Sequence, residues 1–388
     1  MKLEKVELGS VAKVLNGHAF KSKEYVDDGI RVIRITNVQK GRIQDVAPKF
    51  ININRGDEFA RFMLDDGDIL ISLTGNVGRV GVIEKPMLPA ALNQRVGALK
   101  IKSESIEPKY LFHVLNAENF ERDAIKNSNG IAQLNLSSKW VEKYEIPFPP
   151  LVEQKRIAGI LDAADALRAK RRESLVQLDA LLQSTFLEMF GDPVTNPMGW
   201  EVVGLGEVAG FHAGSTLPAG EDFAGQKGGF LYLKVGDLNH ALNSEAVVRS
   251  NIWGEDAKKG ITAPKDAVVI PKRGGAIGTN KKRLLSRNAV LDPNLMAISG
   301  SESLDHIYLY RWFHTFDLMN IASGSTVPQL NKRDLAPLPI PLPPLDLQHR
   351  FAAIVESVEQ QKAKNRSQLE ELDTLFASLQ QTAFNGEL

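Results

Sequence analysis

The chain has 388 residues, 43% of them hydrophobic and 24% charged, a length that predicts two or more domains. Its 47 Lys and Arg balance its 47 Asp and Glu, which argues against a binder held to nucleic acid by bulk charge, and the lack of cysteine excludes disulfides and thiolate metal sites. No apolar run reaches the roughly 20 residues needed to cross a bilayer, and the first residues do not resemble a secretory signal, so we expect a cytoplasmic protein without membrane contact.

The first part of the chain, residues 1–146, predicts a mixed α/β domain. The runs GIRVIRITNV (29–38) and DILISL (68–73) are β-rich and are bounded by Gly, Asp and Asn, as strands that end in turns are. Residues 108–125 carry apolar side chains at three- and four-residue spacing, which predicts short helical structure.

A proline-rich break then leads into a long helix, in residues 147–192. The stretch EIPFPPLVEQKRIAGILD (145–162) ends a strand and sets the start of the helix, because proline is tolerated only in the first helical turn. The FGDP sequence (190–193) supplies a glycine stop. Between them runs a heptad seam of Ile157, Leu161, Ala164, Leu175, Leu178, Leu182 and Met189.

The second part repeats this order. Residues 193–339 predict another mixed α/β domain, with strands in GFLYLKV (229–235) and AVVIP (267–271) and helical spacing in 305–322. The stretch PIPLPPLDLQHRFAAIVE (339–356) opens a second long helix in residues 340–388, and FNGEL (384–388) closes it. Its seam consists of Phe351, Val355, Val358, Leu369, Leu372, Phe376 and Leu379.

The two parts of the chain are an internal duplication. The two proline-rich stretches lie 194 residues apart, and nine of their eighteen positions are identical. Fainter matches pair GDILISLTGNVG (67–78) with KDAVVIPKRGGAIG (265–278), LNQRV with LDPNL, and SNGIAQLN (128–135) with GSTVPQLN (324–331). Framework positions recur while the others differ, which indicates one scaffold used for two related tasks.

Each helix is predicted to span about 36 residues, or about 55 Å, and if the two lie antiparallel their middles face each other. Polar residues interrupt each seam near its middle: Arg168 and Arg171 in one helix, Lys362 and Asn365 in the other. Because buried like charges are costly, we expect these side chains to point outward. Such a pair would act as a rigid spacer.

No catalytic chemistry is predicted. The seven histidines lack metal-ligand spacing, and the glycine-rich turns lack the spacing of nucleotide-binding loops, so we expect no metal, no cofactor and no catalytic residue.

The loops instead carry side chains able to read DNA bases. Arg, Asn and Gln pair with guanine and adenine edges, and Lys suits phosphates. Polar residues also fill loops for structural reasons, and Gln133 and Gln329 recur in a way that fits a structural turn equally well. The candidate DNA-binding residues are Asn76, Arg79, Asn93, Gln94, Arg95, Ser128, Asn129, Gln133, Lys272, Arg273, Asn280, Lys281, Lys282, Asn294, Ser325, Thr326 and Gln329.

The order of these motifs resembles the specificity subunits of type I restriction–modification systems. The most specific element is the helix start Pro-Pro-Leu, two residues, Gln, one residue, Arg, which occurs in both halves. The resemblance implies two target recognition domains that each read half of a bipartite double-stranded DNA target. It also implies that the two long helices pair as an antiparallel coiled coil, which sets the gap and docks two methyltransferase subunits. Partner subunits, including restriction translocase/nuclease subunits, do the catalysis.

Two departures from an even repeat stand out. The first half has LNQRV where the second has LDPNL, and the basic NKKR (280–283) occurs only in the second half. We therefore expect the two domains to read different half-sites. The first alternative is a tandem-domain scaffold that holds two protein partners and does not touch DNA, and the second is an enzyme with an unrecognised site that acts without partner subunits.

Overall fold

Short strands and short helices form the first domain of the computed structural model, which describes residues 3–130, 133–258, 260–324 and 326–388. In chain order they are β1 Lys5–Glu7, α1 Leu8–Val11, β2 Ala12–Asn16, β3 Tyr25–Val26, β4 Ile30–Ile33, β5 Val38–Gln39, β6 Arg42–Ile43, β7 Phe50–Ile51, β8 Ile69–Ser72, β9 Val80–Val82, β10 Ala90–Leu92, β11 Val96–Ile101, α2 Pro108–Leu115, α3 Glu118–Lys126, α4 Ser138–Lys143 and β12 Glu145–Pro147. Two four-stranded sheets have the orders β10-β4-β7-β3 and β2-β11-β8-β9, and β1 pairs with β12. The helical run predicted at 108–125 is broken, because Ala117 is extended (φ −74°, ψ 151°).

The first long helix, α5, spans Leu151–Phe190. It starts directly after Pro150, whose carbonyl oxygen accepts a 3.0 Å hydrogen bond from the backbone N–H of Gln154. It ends at Gly191, whose φ of 78° is the left-handed conformation that closes helices. The predicted proline start and glycine stop are confirmed.

The second domain follows. Its elements are β13 Val202–Gly204, α6 Leu205–Val208, β14 Gly210–Ala213, β15 Glu221–Asp222, β16 Phe230–Leu233, β17 Ala246–Val247, β18 Ile252–Gly254, β19 Thr262–Ala263, β20 Val268–Pro271, β21 Arg283–Leu285, β22 Ala289–Leu291, β23 Leu295–Ser299, α7 His306–Phe313, α8 Lys332–Leu335 and β24 Pro339–Pro341. Two five-stranded sheets have the orders β14-β23-β20-β21-β17 and β15-β18-β16-β22-β19, and β13 pairs with β24. In both domains one parallel pair occurs at the same place, β10 with β4 and β22 with β16, so the duplication extends to the topology.

The second long helix, α9, spans Leu345–Asn385. It starts after Pro344 and ends at Gly386, where φ is 77°. The two long helices have 40 and 41 residues and so exceed the predicted length of about 36. The predicted mixed α/β fold with two repeated domains and two long helices is confirmed. None of the helices in the described part of the chain is long and apolar enough to cross a membrane.

The chain divides into two compact units. Unit 1 comprises Met1–Glu173 and Arg366–Leu388, and unit 2 comprises Ser174–Asn365. Each unit therefore contains one domain, part of α5 and part of α9.

In unit 1 the two long helices run antiparallel. Arg156 donates a 2.8 Å hydrogen bond to the carbonyl oxygen of Leu388, and Arg168 lies 2.6 Å from Asp373, so residue numbers rise on one helix as they fall on the other. Among the predicted packing residues, Ile157, Leu161 and Phe376 share one buried core with the strands of the first domain.

In unit 2 the helices also run antiparallel. The rings of Phe186 and Phe190 lie 5.6 and 5.3 Å from the ring of Phe351. Leu182, Phe351 and Val355 belong to the core of the second domain. The other four predicted packing residues are half-buried; they are Leu175, Leu178, Leu369 and Leu372.

The polar residues in the middle of the helices point inward, so the prediction that they turn outward is wrong. In unit 1, Arg168 is ion-paired with Asp165 at 2.7 Å and Asp373 at 2.6 Å, and its guanidinium lies 4.3 Å from the centre of the Phe376 ring. Asn365 is buried in unit 2, and Arg171 is half-buried in unit 1.

Unit 2 repeats this ion pair with lysine. Lys362 is 1% exposed and contacts Asp179 at 2.7 Å, Glu359 at 2.9 Å and Glu245. Burial alone would lower the pKa of Lys362, but hydrogen bonds to the three carboxylates raise it above its ordinary value. Arg168 and Lys362 thus each meet an aspartate of the other helix, which offsets the like-charge repulsion that the prediction assumed.

One buried glutamine joins the first domain to α5. Gln154 is 0% exposed, and its Nε2 donates to the carbonyl oxygens of Pro149 at 2.8 Å and Ser105 at 3.1 Å. Its Oε1 accepts the N–H of Glu107 at 2.9 Å. The side chain therefore ties the strand exit, the helix start and the start of α2 together.

Gln348 makes the same three bonds in unit 2. Its Nε2 donates to Pro343 O at 2.8 Å and Ser303 O at 3.1 Å, and its Oε1 accepts the N–H of Asp305 at 2.8 Å. These contacts give a physical reason for the glutamine of the repeated motif.

Candidate nucleic-acid interface

Three loops of the first domain lie side by side, and backbone hydrogen bonds hold them together. The N–H of Leu73 donates to Arg95 O at 3.0 Å, and the carbonyl oxygen of Leu73 accepts from the N–H of Leu136 at 2.8 Å. Gly75 N–H donates to Leu134 O at 2.8 Å. We call this surface edge 1; it comprises residues 73–79, 93–95 and the described part of 128–136.

The second domain builds the same arrangement. Lys272 N–H donates to Asn294 O at 2.8 Å, and Lys272 O accepts from the N–H of Leu330 at 3.0 Å. Gly274 N–H donates to Pro328 O at 2.8 Å. We call this surface edge 2; it comprises residues 272–279, 292–294 and the described part of 323–330.

The equivalent bonds correct the sequence matching of the third loop. Pairing the letters QLN placed Gln329 opposite Gln133, whereas the hydrogen bonds place Gln329 opposite Asn135. Both of these residues exchange two backbone hydrogen bonds with a residue six positions earlier, Asn129 or Ser323, at 2.7–2.9 Å. The sequence matching failed because it compared residue types, whereas the equivalent positions are defined by backbone hydrogen bonds. We call the set of equivalent backbone hydrogen bonds in the two edges the backbone frame.

The turn at residues 93–95 of edge 1 and the turn at residues 292–294 of edge 2 are the central turns of the two edges. A glycine lies behind each of them, and the sequence analysis missed both glycines. A Cβ atom on Gly17 would lie 2.3 Å from Leu92 O, and one on Gly214 would lie 1.8 Å from Asp292 O. No other residue fits so close to the backbone. The recurrence of glycine near the start of both domains was the available signal.

On edge 1 several predicted side chains are exposed. They are Asn76, Gln94, Arg95, Asn129 and Gln133. They come from three separate parts of the sequence, and the structure brings them to one surface.

The remaining edge 1 candidates make contacts within the domain. Asn93 is 8% exposed, and its Oδ1 accepts the N–H of Arg95 at 3.3 Å, which shapes the turn. Arg79 donates to Gln39 Oε1 at 2.9 Å and lies 3.7 Å from Glu121. Ser128 donates its hydroxyl to Ile125 O at 2.7 Å.

On edge 2, Arg273 and Thr326 are exposed, and Lys272 and Gln329 are half-buried. Burial and the neighbouring Arg273 lower the pKa of Lys272 below its ordinary value. Asn294 lies on the turn, with its Nδ2 3.4 Å from Asp292 Oδ2. The candidate Ser325 lies outside the described residues.

Three basic-loop candidates contact other parts of unit 2. Asn280, at φ 52°, accepts the N–H of Leu318 at 3.0 Å, and Lys281 bonds Asn239. Lys282 is 1% exposed and donates to Phe316 O at 2.6 Å; its burial lowers its pKa to about 8. These side chains support the loop, and a role for them in DNA binding stays a prediction.

No group of three or more His, Asp or Glu side chains within the described ranges is arranged to hold a metal ion.

The chain is similar in sequence to type I restriction specificity subunits. A family model for the type I restriction modification DNA specificity domain matches residues 2–177 and again residues 197–374. The EcoBI type I restriction enzyme specificity subunit of Escherichia coli is 23% identical over an alignment of 427 positions, which covers 99% of this chain and 86% of that subunit. The MjaVIII specificity subunit of Methanocaldococcus jannaschii is 30% identical over 180 residues, 45% of this chain and 42% of that subunit.

A solved structure shares the fold. The type I restriction–modification S subunit from M. genitalium superimposes with a TM-score of 0.58 at 16% identity, over 99% of this chain and 96% of that one. The likeness covers both domains and both long helices.

Proposed function

Because this chain belongs to the type I restriction–modification DNA specificity family, we propose that its two domains each read one half of a bipartite DNA target. The observation that carries the proposal is the repeated edge. Edge 1 and edge 2 share one backbone frame but carry different exposed side chains, as two readers of different half-sites require.

The side chains on the edges suit base reading. Edge 1 exposes the amides of Asn76 and Gln94 and the guanidinium of Arg95, and edge 2 exposes Arg273. Amides pair with adenine in the major groove and guanidinium groups pair with guanine. Zero net charge is compatible with this function, because the contacts are local to each edge.

The long helices complete the proposal. Residues 1–146 and 193–339 are target recognition domains, and residues 147–192 and 340–388 form the helix pair that sets the gap between the half-sites. The same pair docks two methyltransferase subunits. This chain supplies recognition alone, and methyl transfer, translocation and cleavage belong to its partners.

The test is selection of DNA by the complex of the full chain with its modification subunits. Random-sequence duplexes recovered after binding should contain one split sequence with a fixed gap. Affinity should fall steeply with salt, because phosphate contacts release counterions. A complex that binds its subunits but enriches no DNA at any salt concentration contradicts the proposal and favours the protein scaffold.

A further inference from the structure

Edge 1 carries two arginines, and they differ in what they contact. The guanidinium of Arg79 is bound to Gln39 and Glu121. Arg95 is exposed, and its guanidinium has no hydrogen-bond or ion-pair partner among the described residues. Only Arg95 offers a complete set of guanidinium donors on this edge.

Edge 2 carries one lysine and one arginine. Lys272 is half-buried, whereas Arg273 is exposed. The guanidinium of Arg273, too, lacks a partner in the part of the chain that the structure describes. Each edge therefore exposes one arginine whose guanidinium has no hydrogen-bond or ion-pair partner among the described residues.

The backbone of both arginines is held in place. Arg95 donates its N–H to Asn93 Oδ1 and accepts from Leu73 through its carbonyl oxygen. Arg273 pairs with Gln329, and the residues on either side of it make further backbone hydrogen bonds. A side chain on a fixed backbone loses less freedom when it binds and holds a defined position.

The two arginines occupy different places in the shared frame. The counterpart of Arg95 is Asn294, whose amide lies 3.4 Å from Asp292 Oδ2. The counterpart of Arg273 is Thr74, whose hydroxyl donates to Asn135 Oδ1 at 3.1 Å. The arginine comes from the central turn on edge 1 and from the loop after β20 on edge 2.

We propose that Arg95 and Arg273 each read a guanine, one in each half-site, from different positions of the same frame. A guanidinium donates two parallel N–H bonds to O6 and N7 of guanine, the geometry that distinguishes G·C in the major groove. This inference rests on the proposed function and adds to it the base and its reader.

Selection from random duplexes by the full complex tests the inference. Arg95→Ala should relax one guanine position in one half-site, with discrimination there falling about 5- to 150-fold. The other half-site should stay unchanged, and Arg273→Ala should give the reverse. The lysine variants Arg95→Lys and Arg273→Lys keep the charge but lose the two-pronged donor, so they should relax the same positions while the salt dependence stays near that of the wild type.

The control is Arg61→Ala, which removes an exposed arginine of unit 1 outside edge 1 and should leave the selected sequence unchanged. An alanine variant that binds all sequences uniformly less tightly and has a shallower salt dependence would identify a phosphate contact and overturn the inference. Relaxation at a base other than guanine, or none, also overturns it while the proposed function stands. A wild-type complex that enriches no DNA overturns both.

Discussion

Replacing Gln348 by leucine should destabilise unit 2, because its fully buried side-chain amide makes three hydrogen bonds that leucine cannot make. The partners left behind are the carbonyl oxygens of Ser303 and Pro343 and the N–H of Asp305. A buried polar group without a partner costs about 1–3 kcal/mol. The bond to Pro343 O is buried and the other two are partly buried, so we expect a total cost of about 3 kcal/mol.

Scanning calorimetry measures this effect. A loss of about 3 kcal/mol lowers the unfolding temperature of a domain of roughly 200 residues by about 6–12 °C. Gln154→Leu makes the matched change in unit 1 and should have an effect of similar size. Gln381→Leu, at an exposed position of α9, serves as the control and should shift the unfolding temperature little.

Hydrogen exchange then assigns each loss to a unit. Faster exchange should appear in unit 2 for Gln348→Leu and in unit 1 for Gln154→Leu. If both variants unfolded within a degree of the Gln381→Leu control, the hydrogen bonds of the repeated glutamine would not stabilise the connection between each domain and its long helix.

Three further predictions concern the helices. Lys362→Met leaves three partly exposed carboxylates without their cation, so it should lower the free energy of unfolding in urea by about 1–3 kcal/mol. Adding Glu359→Gln should recover part of that loss, and an unchanged urea midpoint for Lys362→Met would count against the ion pair. Burial lowers the pKa of His113 although Asp162 lies 2.8 Å away, so between the two pKa values the unfolded chain binds a proton that the folded chain does not, and stability falls as the pH drops below about 6.5. His113→Gln should weaken this dependence in thermal scans at pH 7.0 and 5.5 without removing it, because burial also lowers the pKa of His314, and an unchanged dependence would contradict the prediction. Inserting four residues after both Ala169 and Ala363 adds about 6 Å of helix and should widen the gap in the selected DNA by about one or two base pairs without altering the half-sites. If the variant complex selected only DNA with the original gap, the spacer role would be refuted.

The sequence predicts those features of the fold that depend on local chemistry. Proline cannot continue a strand or enter a helix beyond its first turn, so the starts of the two long helices can be predicted from the sequence. Their ends can also be predicted, because Gly191 and Gly386 adopt a conformation that favours glycine. The apolar seams of the long helices and the duplicated domains also follow from periodicity and from the interval of 194 residues, whereas the antiparallel pairing was implied by the family resemblance.

The edges could not be assembled from the sequence, because their bonds join distant segments. Leu73 connects Arg95 and Leu136, and no local pattern marks that contact. The burial of Lys282 was missed for the same reason: its acceptor, Phe316 O, lies 34 residues away. The inward direction of Lys362 depends on carboxylates as distant as Asp179 and Glu245.

The most direct test of the central claim is exchange of one domain. Residues 1–146 would be replaced by the equivalent domain of a relative with a different target, and DNA selected by the resulting complex would be sequenced beside that selected by the wild type. We expect one half-site to change while the other half-site and the gap remain. If both half-sites changed, or neither did, the claim that each domain reads its own half of the target would be contradicted.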